Sequence, residues 1–289
     1  MMIRAVSWTF VCGWLLSGYV SATTPAFAGG RDFTVSTTRL GGDPESAQPY
    51  IDKFAGHLEK LANFPKGSLK GVFAPSRKEA LTDINARKPG FGVLDPWLYF
   101  DLRAAQNLEA IAEVRSAELN SAHFYVVVKD PGWKTLDDLQ GKRLWTHLAE
   151  YPQYLSRVVL DGKGAAETRF ALKQVGNVMK AVRAVLHGEA DAAIVDESQL
   201  EAAKKLDGGA ALRVLYASTP QPPAVLVVFN GNVAPADKQP LAKAVLTLCG
   251  TKEGGEICAE MHISRFVELD KTLFSAAQKR YEATGGTTK

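Results

Sequence analysis

The chain has 289 residues, 46% of them hydrophobic and 22% charged, with 25 Gly and 14 Pro. These are the proportions of a globular protein, and they exclude whole-chain disorder, a collagen-like repeat and a coiled coil. Thirty-four Lys and Arg against 31 Asp and Glu leave a formal charge of +3, with no local run of basic residues, so no electrostatic footprint for nucleic acid is present.

Residues 1–28 open with Arg4 as their one charge, continue through an apolar stretch from Ala5 to Val20, and close on Ala26-Phe27-Ala28. A positive start, a short apolar core and an A-x-A site are the three parts of a secretory signal peptide. The stretch is interrupted by Gly13, Ser17 and Gly18 and is shorter than the ~20 residues a spanning helix needs. The expectation is a protein exported to the periplasm, cleaved after Ala28 and soluble. Cleavage removes Cys12 and leaves Cys249 and Cys258. An even pair in an oxidising compartment favours a disulfide, whose small ring is worth about 2.5 kcal/mol on the chain-entropy account. Two unpaired buried thiols are the alternative.

A strand is predicted at 33–37, followed by a polar loop and a helix with Ile51, Phe54, Leu58 and Leu61 on one face. Strand 69–73, helix 76–87, with Ala80, Leu81 and Ile84 turned inward, and strand 91–94 come next. Asp95-Pro96 then opens a helix, because Asp is a good N-cap and Pro suits the first helical position. This order predicts a parallel sheet wrapped by helices. A longer apolar strand follows at 123–128. Thr135 to Gly141 reads as a short helix with a Thr-x-x-Asp cap and a Gly stop. Strand 142–146, helix 152–160, a strongly amphipathic helix ending at Gly188, and strand 191–195 follow. Asp196 and Gln199 form a capping-box signal for the next helix. Strands 212–216 and 225–229 flank a Pro-rich stretch, and from Lys238 to Tyr281 the pattern is helical, with Ala242, Val245 and Leu246 inward. The fold class expected is α/β, with two Rossmann-like lobes joined by a two-stranded hinge. Residues 29–122 and 226–289 form the first lobe, and 123–225 the second together with the hinge strands.

Several stretches resemble one family. Val127-Val128-Lys129-Asp130-Pro131-Gly132, followed by Leu136-Asp137-Asp138-Leu139-Gln140-Gly141-Lys142-Arg143-Leu144, is similar to the opening of the second lobe in type II solute-binding proteins of ABC importers. The run from Ala181 through Gly188 to Ala192-Ala193-Ile194-Val195-Asp196 resembles the phosphate/phosphite/phosphonate-binding subfamily. So do Val93-Leu94-Asp95-Pro96-Trp97-Leu98-Tyr99, with Asp95 in place of a Gly, and Met261-His262-Ile263-Ser264-Arg265-Phe266-Val267. The resemblance implies a type II periplasmic binding protein that closes two lobes over a small phosphonate-like, or other anionic or zwitterionic, ligand. It would deliver that ligand to an inner-membrane ABC permease as a monomer, with no cofactor. The alternative is a periplasmic sensing or accessory subunit of a membrane signalling or oxidoreductase system. The chain departs from the subfamily after Trp145, where a Ser-Thr-Ser-Gly anion loop is replaced by Thr146-His147-Leu148-Ala149-Glu150-Tyr151-Pro152-Gln153-Tyr154. Asn177 stands where a His is frequent. Glu150 beside the pocket would repel a dianionic phosphonate.

Ligands of open α/β sheets bind beyond the carboxyl ends of strands, where helix N-termini present unpaired N–H groups. Thr38 and Arg39 follow the first strand, and Arg39 is a planar fork for a carboxylate or phosphate or else a solvated surface residue. Asp95, Trp97 and Tyr99 start a helix at the cleft, with an N-cap and core packing as their other readings. Trp145, Thr146, Tyr151 and Tyr154 cluster where the anion loop would lie and offer aromatic surface to a ring-bearing or apolar ligand; a packed loop is the alternative. Asp196 and Ser198 follow a buried strand, with Asp196 equally a cap. If Asp95 and Asp196 both face the cleft, a cationic or zwitterionic ligand is favoured. The five His are dispersed, with only His147 near these positions and His187 at a helix C-terminus. The chain carries no G-x-S-x-G, H-E-x-x-H, G-x-x-x-x-G-K-S/T or G-x-G-x-x-G motif, and it is read as a binder rather than an enzyme.

Overall fold

A computed structural model describes residues 30–38, 43–116 and 123–283. The export segment 1–28 and Arg39 lie outside the described residues. β1 (Phe33–Ser36) is buried throughout and leads to α1 (Pro44–Ala62), which Asp43 caps by accepting from Ser46 N and which stops at Asn63, in the left-handed region at φ 55°. Its Ile51, Phe54 and Leu58 stripe is buried, as the spacing predicts. β2 (Gly71–Phe73), α2 (Arg77–Arg87), whose capping box is Ser76 with Glu79, β3 (Phe91–Leu94) and α3 (Pro96–Leu102) complete the first alternating block. β1 runs parallel to both β2 and β3.

β4 (Leu108–Ser116) has no counterpart among the predicted strands. Glu109, Glu113 and Arg115 interrupt its apolar pattern, yet it lies inside the sheet, between β10 and β11. The chain then crosses to β5 (Phe124–Val128). A 3-10 turn at Leu136–Leu139, capped by Thr135 and Asp138, precedes β6 (Arg143–Thr146). α4 (Pro152–Tyr154) continues into a π-helical turn, Leu155–Val159, and is followed by α5 (Ala166–Arg169) and β7 (Ala171–Gln174). α6 (Val178–Leu186), β8 (Ala192–Asp196), α7 (Glu197–Lys204) and β9 (Arg213–Ala217) close this half. The chain returns through β10 (Val225–Phe229), α8 (Pro235–Leu248), α9 (Lys252–Glu260), β11 (Ile263–Val267) and α10 (Lys271–Glu282).

Two sheets result, with strand orders β11-β4-β10-β3-β1-β2 and β7-β6-β8-β5-β9. They are mixed, not parallel throughout. β10 is antiparallel to β3 and β4, and β5 to β8 and β9: the strand that enters each half from the other runs against its neighbours, whereas β4 and β9, which follow α3 and α7, keep the direction of β3 and β8. The helical stretch expected from Lys238 to Tyr281 is also corrected. Thr251 starts a new helix by accepting from Gly254 N, and His262, at φ 55°, turns the chain into β11. Cys249 and Cys258 form a disulfide across the α8–α9 corner, with Cα atoms 5.7 Å apart.

One face of the first sheet packs Phe33, Val35 and Val93 against Phe54, Val245 and Ile257 of α1, α8 and α9. The opposite side places Leu94, Trp97, Leu98 and Phe100 in one continuous core with Val126, Leu144, Tyr154 and Val158 of the second half. α10 joins this core through Phe274 and Ala277. It straddles the halves: Asp270 N, just before the helix, donates to the buried Glu113 Oε1 at 2.7 Å, and Arg157 Nη1 donates to Tyr281 O at 2.8 Å. No helix among the described residues is long and apolar enough to cross a membrane.

Candidate ligand-binding site

A cavity of about 40 Å3 lies between the halves at the ends of β1, β3 and β8. On a scale where one water needs about 10–15 Å3, it has room for a few waters or a small headgroup. The first half contributes Thr38, Asp95, Pro96 and Trp97; the second contributes Phe124, His147, Asp196 and Gln199. Gln221 to Ala224, on the return crossing, form the remaining wall.

Asp95 is 3% exposed. It stands at the N-cap position of α3, but its side chain makes no capping bond, so the expected cap is corrected. The carboxylate turns to the end of β1, accepting from Thr37 Oγ1 at 3.0 Å and Thr38 N at 2.7 Å. Asp196 does cap its helix. Its Oδ1 accepts from Ser198 Oγ and Gln199 N, both at 2.9 Å, while Asp196 N donates to Gln199 Oε1 at 2.9 Å. Each half therefore presents one buried carboxylate to the same small space.

Trp97 forms the aromatic wall. Its ring meets His147 edge-on at 5.2 Å and lies 6.2 Å from Phe124, 6.4 Å from Tyr151 and 6.2 Å from Tyr154. Tyr151 and Tyr154 stand behind Trp97 and not on the cavity. Burial pushes both phenols well above their ordinary pKa, so they stay protonated. Tyr99 packs on Phe100 and Phe274, and burial raises its phenol too. Trp145 faces the other side of the second sheet, where the pleat places it with Val127, Val195 and α6; Lys173 Nζ sits 3.6 Å from its ring centre. Thr146 is fully buried and accepts from Leu148 N through Oγ1 at 3.1 Å. Ser198 reaches the cavity only through its bond to Asp196.

Glu150 does not approach this cavity. It borders a separate surface depression with Arg77 and Lys78 of α2, which removes the expected repulsion of an anionic ligand. Asn177 caps α6 by accepting from Lys180 N. Of the expected site residues the structure thus brings Thr38, Asp95, Trp97 and Asp196 together. His147, Phe124, Gln199 and Gln221 were missed as cavity-lining positions. Gln199 carried a signal, its capping-box spacing, whereas Gln221 sits in a loop whose composition is merely Pro-rich. No group of three or more His, Cys, Asp or Glu placed to hold a metal occurs among the described residues.

Two α/β halves, two chain crossings and a cavity at the strand ends define the type II periplasmic binding protein fold. A family model described as the periplasmic substrate-binding protein of phosphonate ABC transporters matches residues 43–274, and the chain belongs to that family. Among solved structures, XAC2383 from Xanthomonas citri bound to chloride ion is similar at 17% identity and TM-score 0.67, over 87% of this chain and 98% of that one. A binding protein component of an ABC phosphonate transporter from Pseudomonas aeruginosa matches at 14% and 0.62, over 90% of each chain. PhnD1 from Prochlorococcus marinus in complex with methylphosphonate matches at 13% and 0.61, over 86% and 96%. At these identities the likeness is one of fold. No curated protein matches the chain. Family membership makes the protein a periplasmic substrate-binding protein, of a kind that takes small ligands and works with membrane permeases.

Proposed function

We propose that the protein captures a small amine-bearing, phosphonate-like zwitterion between its halves and hands it unaltered to an ABC permease, acting as a monomer exported by its N-terminal segment. The observation that carries this reading is the pair of buried carboxylates, Asp95 and Asp196, one from each half, lining a single cavity beside the Trp97 ring. A bare dianion in that space meets repulsion of about 4 kcal/mol per unit-charge pair at 4 Å and an effective dielectric of 20. An ammonium group reverses the sign, and the faces of Trp97 and Phe124 add cation–π attraction. The Thr38 hydroxyl and the Gln199 carboxamide are donors for the anionic end, with Arg39 adjoining in sequence. The lobes expected from the sequence, 29–122 with 226–289 and 123–225, would move as two bodies, with Ala224 and Val225 going with the first because they bond β3 and β4.

Titration calorimetry with 2-aminoethylphosphonate, methylphosphonate, inorganic phosphate and ethylamine tests the reading. The expected result is one molecule of 2-aminoethylphosphonate per chain, bound at least tenfold more tightly than methylphosphonate and recovered unchanged. Equal or tighter binding of methylphosphonate overturns the role of the carboxylates. A folded protein that binds none of the four points to the sensory or accessory role.

A further inference from the structure

Three helical starts among the described residues carry a full capping box. Ser76 with Glu79 opens α2, Thr135 with Asp138 opens the 3-10 turn, and Asp196 with Gln199 opens α7. The first two place an acid at the third helical position, and both acids are exposed. Negative charge in a first turn is favoured by the helix dipole, and Glu closes the box as well as Gln does. The box that lines the cavity is the one with a neutral amide there.

The backbone orients that amide. Asp196 N donates to Gln199 Oε1 at 2.9 Å, and a backbone N–H is received only by the carbonyl end of a carboxamide. The NH2 end is therefore turned out of the cap, and no hydrogen bond engages it among the described residues. In Asp196 the cap occupies Oδ1, through Ser198 Oγ and Gln199 N, and leaves Oδ2 as an acceptor beside that donor. The neighbouring wall offers less. Gln221 is 2% exposed and its carboxamide is saturated: Oε1 accepts from Tyr154 OH at 3.0 Å, and Nε2 donates to Val158 O at 3.3 Å and Thr219 O at 2.9 Å. Thr38 is exposed, its N–H is spent on Asp95, and its hydroxyl rotates to donate or accept. The open end of Gln199, half-buried, can only donate.

We infer that Gln199 is the specificity-determining residue for the anionic end of the ligand. Its capping bond fixes the amide hydrogens as donors to an oxoanion, while Asp196 Oδ2 takes the cationic group next to it. The inference rests on the proposed function in taking this cavity as the ligand's. A plain amine leaves the amide without its partner, and a Glu at this position would keep the cap while adding a third carboxylate to the cavity.

The test is titration calorimetry of methylphosphonate and 2-aminoethylphosphonate against the unsubstituted chain, Gln199→Met and Gln199→Glu. Gln199→Met keeps the bulk and removes donors and cap together; Gln199→Glu keeps the capping acceptor and reverses the charge offered to the oxoanion. Both phosphonates are expected to bind about tenfold more weakly to Gln199→Met and about a hundredfold more weakly to Gln199→Glu. A purely structural cap predicts the opposite order, so affinity retained in Gln199→Glu overturns the inference. Affinity retained in Gln199→Met overturns it as well, since the amide would then merely spare Asp196 a like charge. Should one variant fail to fold, the other decides on the same criterion. If methylphosphonate binds the unsubstituted chain as tightly as 2-aminoethylphosphonate, the amine-selecting role of the carboxylates falls, while the ordered losses on methylphosphonate still uphold Gln199. If neither phosphonate binds the unsubstituted chain, both fall.

Discussion

The two halves reach the cavity by the same route, an aspartate that ends a buried strand and precedes a helix, yet they hold that aspartate differently. Asp196 is held by its own neighbours, Ser198 and Gln199, within a half built from one continuous stretch of chain, β5 to β9. Asp95 is held by Thr37 and Thr38, 58 and 57 residues away, within a half assembled from two separate stretches, with β10 inserted between β3 and β4. One sequence signature therefore carries two energetic roles. A local cap stabilises one helix end, while the distant carboxylate ties the turn after β1 to the start of α3 by accepting from the buried Thr37 hydroxyl and from Thr38 N.

The contrast predicts unequal costs. Asp95→Ala leaves Thr38 N and Thr37 Oγ1 without this acceptor, and urea unfolding is expected to show a loss of about 3 kcal/mol; a loss below that of Asp196→Ala would break the comparison. Reducing the Cys249–Cys258 bridge, which closes a separation of 9 residues within the first half, is expected to cost about 2.5 kcal/mol. Amide exchange should then quicken around α8 and α9 while β5 and β8 keep their protection. Asp196→Ala removes a helix cap worth about 1 kcal/mol, with the change in exchange confined to the first turn of α7.

The smallest effect belongs to acid. Hydrogen bonding to Arg143 holds the Asp191 carboxylate below its ordinary pKa. A depressed carboxylate stabilises the fold above its unfolded pKa, near 4, and that contribution is lost as pH falls through the folded value. Arg143→Met should therefore narrow the gap between stability at pH 7 and at pH 3. An unchanged acid limb would show that this exposed pair contributes nothing measurable.

The second half was the more legible in the sequence. The α6 stripe, the Asp196–Gln199 box and the Thr135–Asp138 cap each depend on residues within a few positions of one another, and each appears in the structure. β4 escaped notice because Glu113, 0% exposed, reads as a solvated charge. Its burial makes sense only with Asp270 N and Arg115 against it. Among the candidate site residues the strand-end positions Thr38, Asp95 and Asp196 were found by a rule about strand ends. The aromatic loop does not line the cavity, because Trp145 packs with Val127 and Val195 on the far side of the second sheet and Tyr151 and Tyr154 stand behind Trp97, and which side faced the first half depended on how the halves pack.

Composition, periodicity and caps were enough to settle an α/β chain, most of its helices and the aspartates at two strand ends, since those signals act over a turn or a strand. Only the assembled fold decided that β10 sits between β3 and β4, that β4 and β11 exist, and that α10 spans both halves. It also turned Asp95 toward β1 and away from α3, and tied Gln221 to Tyr154. Those outcomes rest on contacts between residues tens to hundreds of positions apart, where pairing buried polar groups across the structure outweighs any local preference.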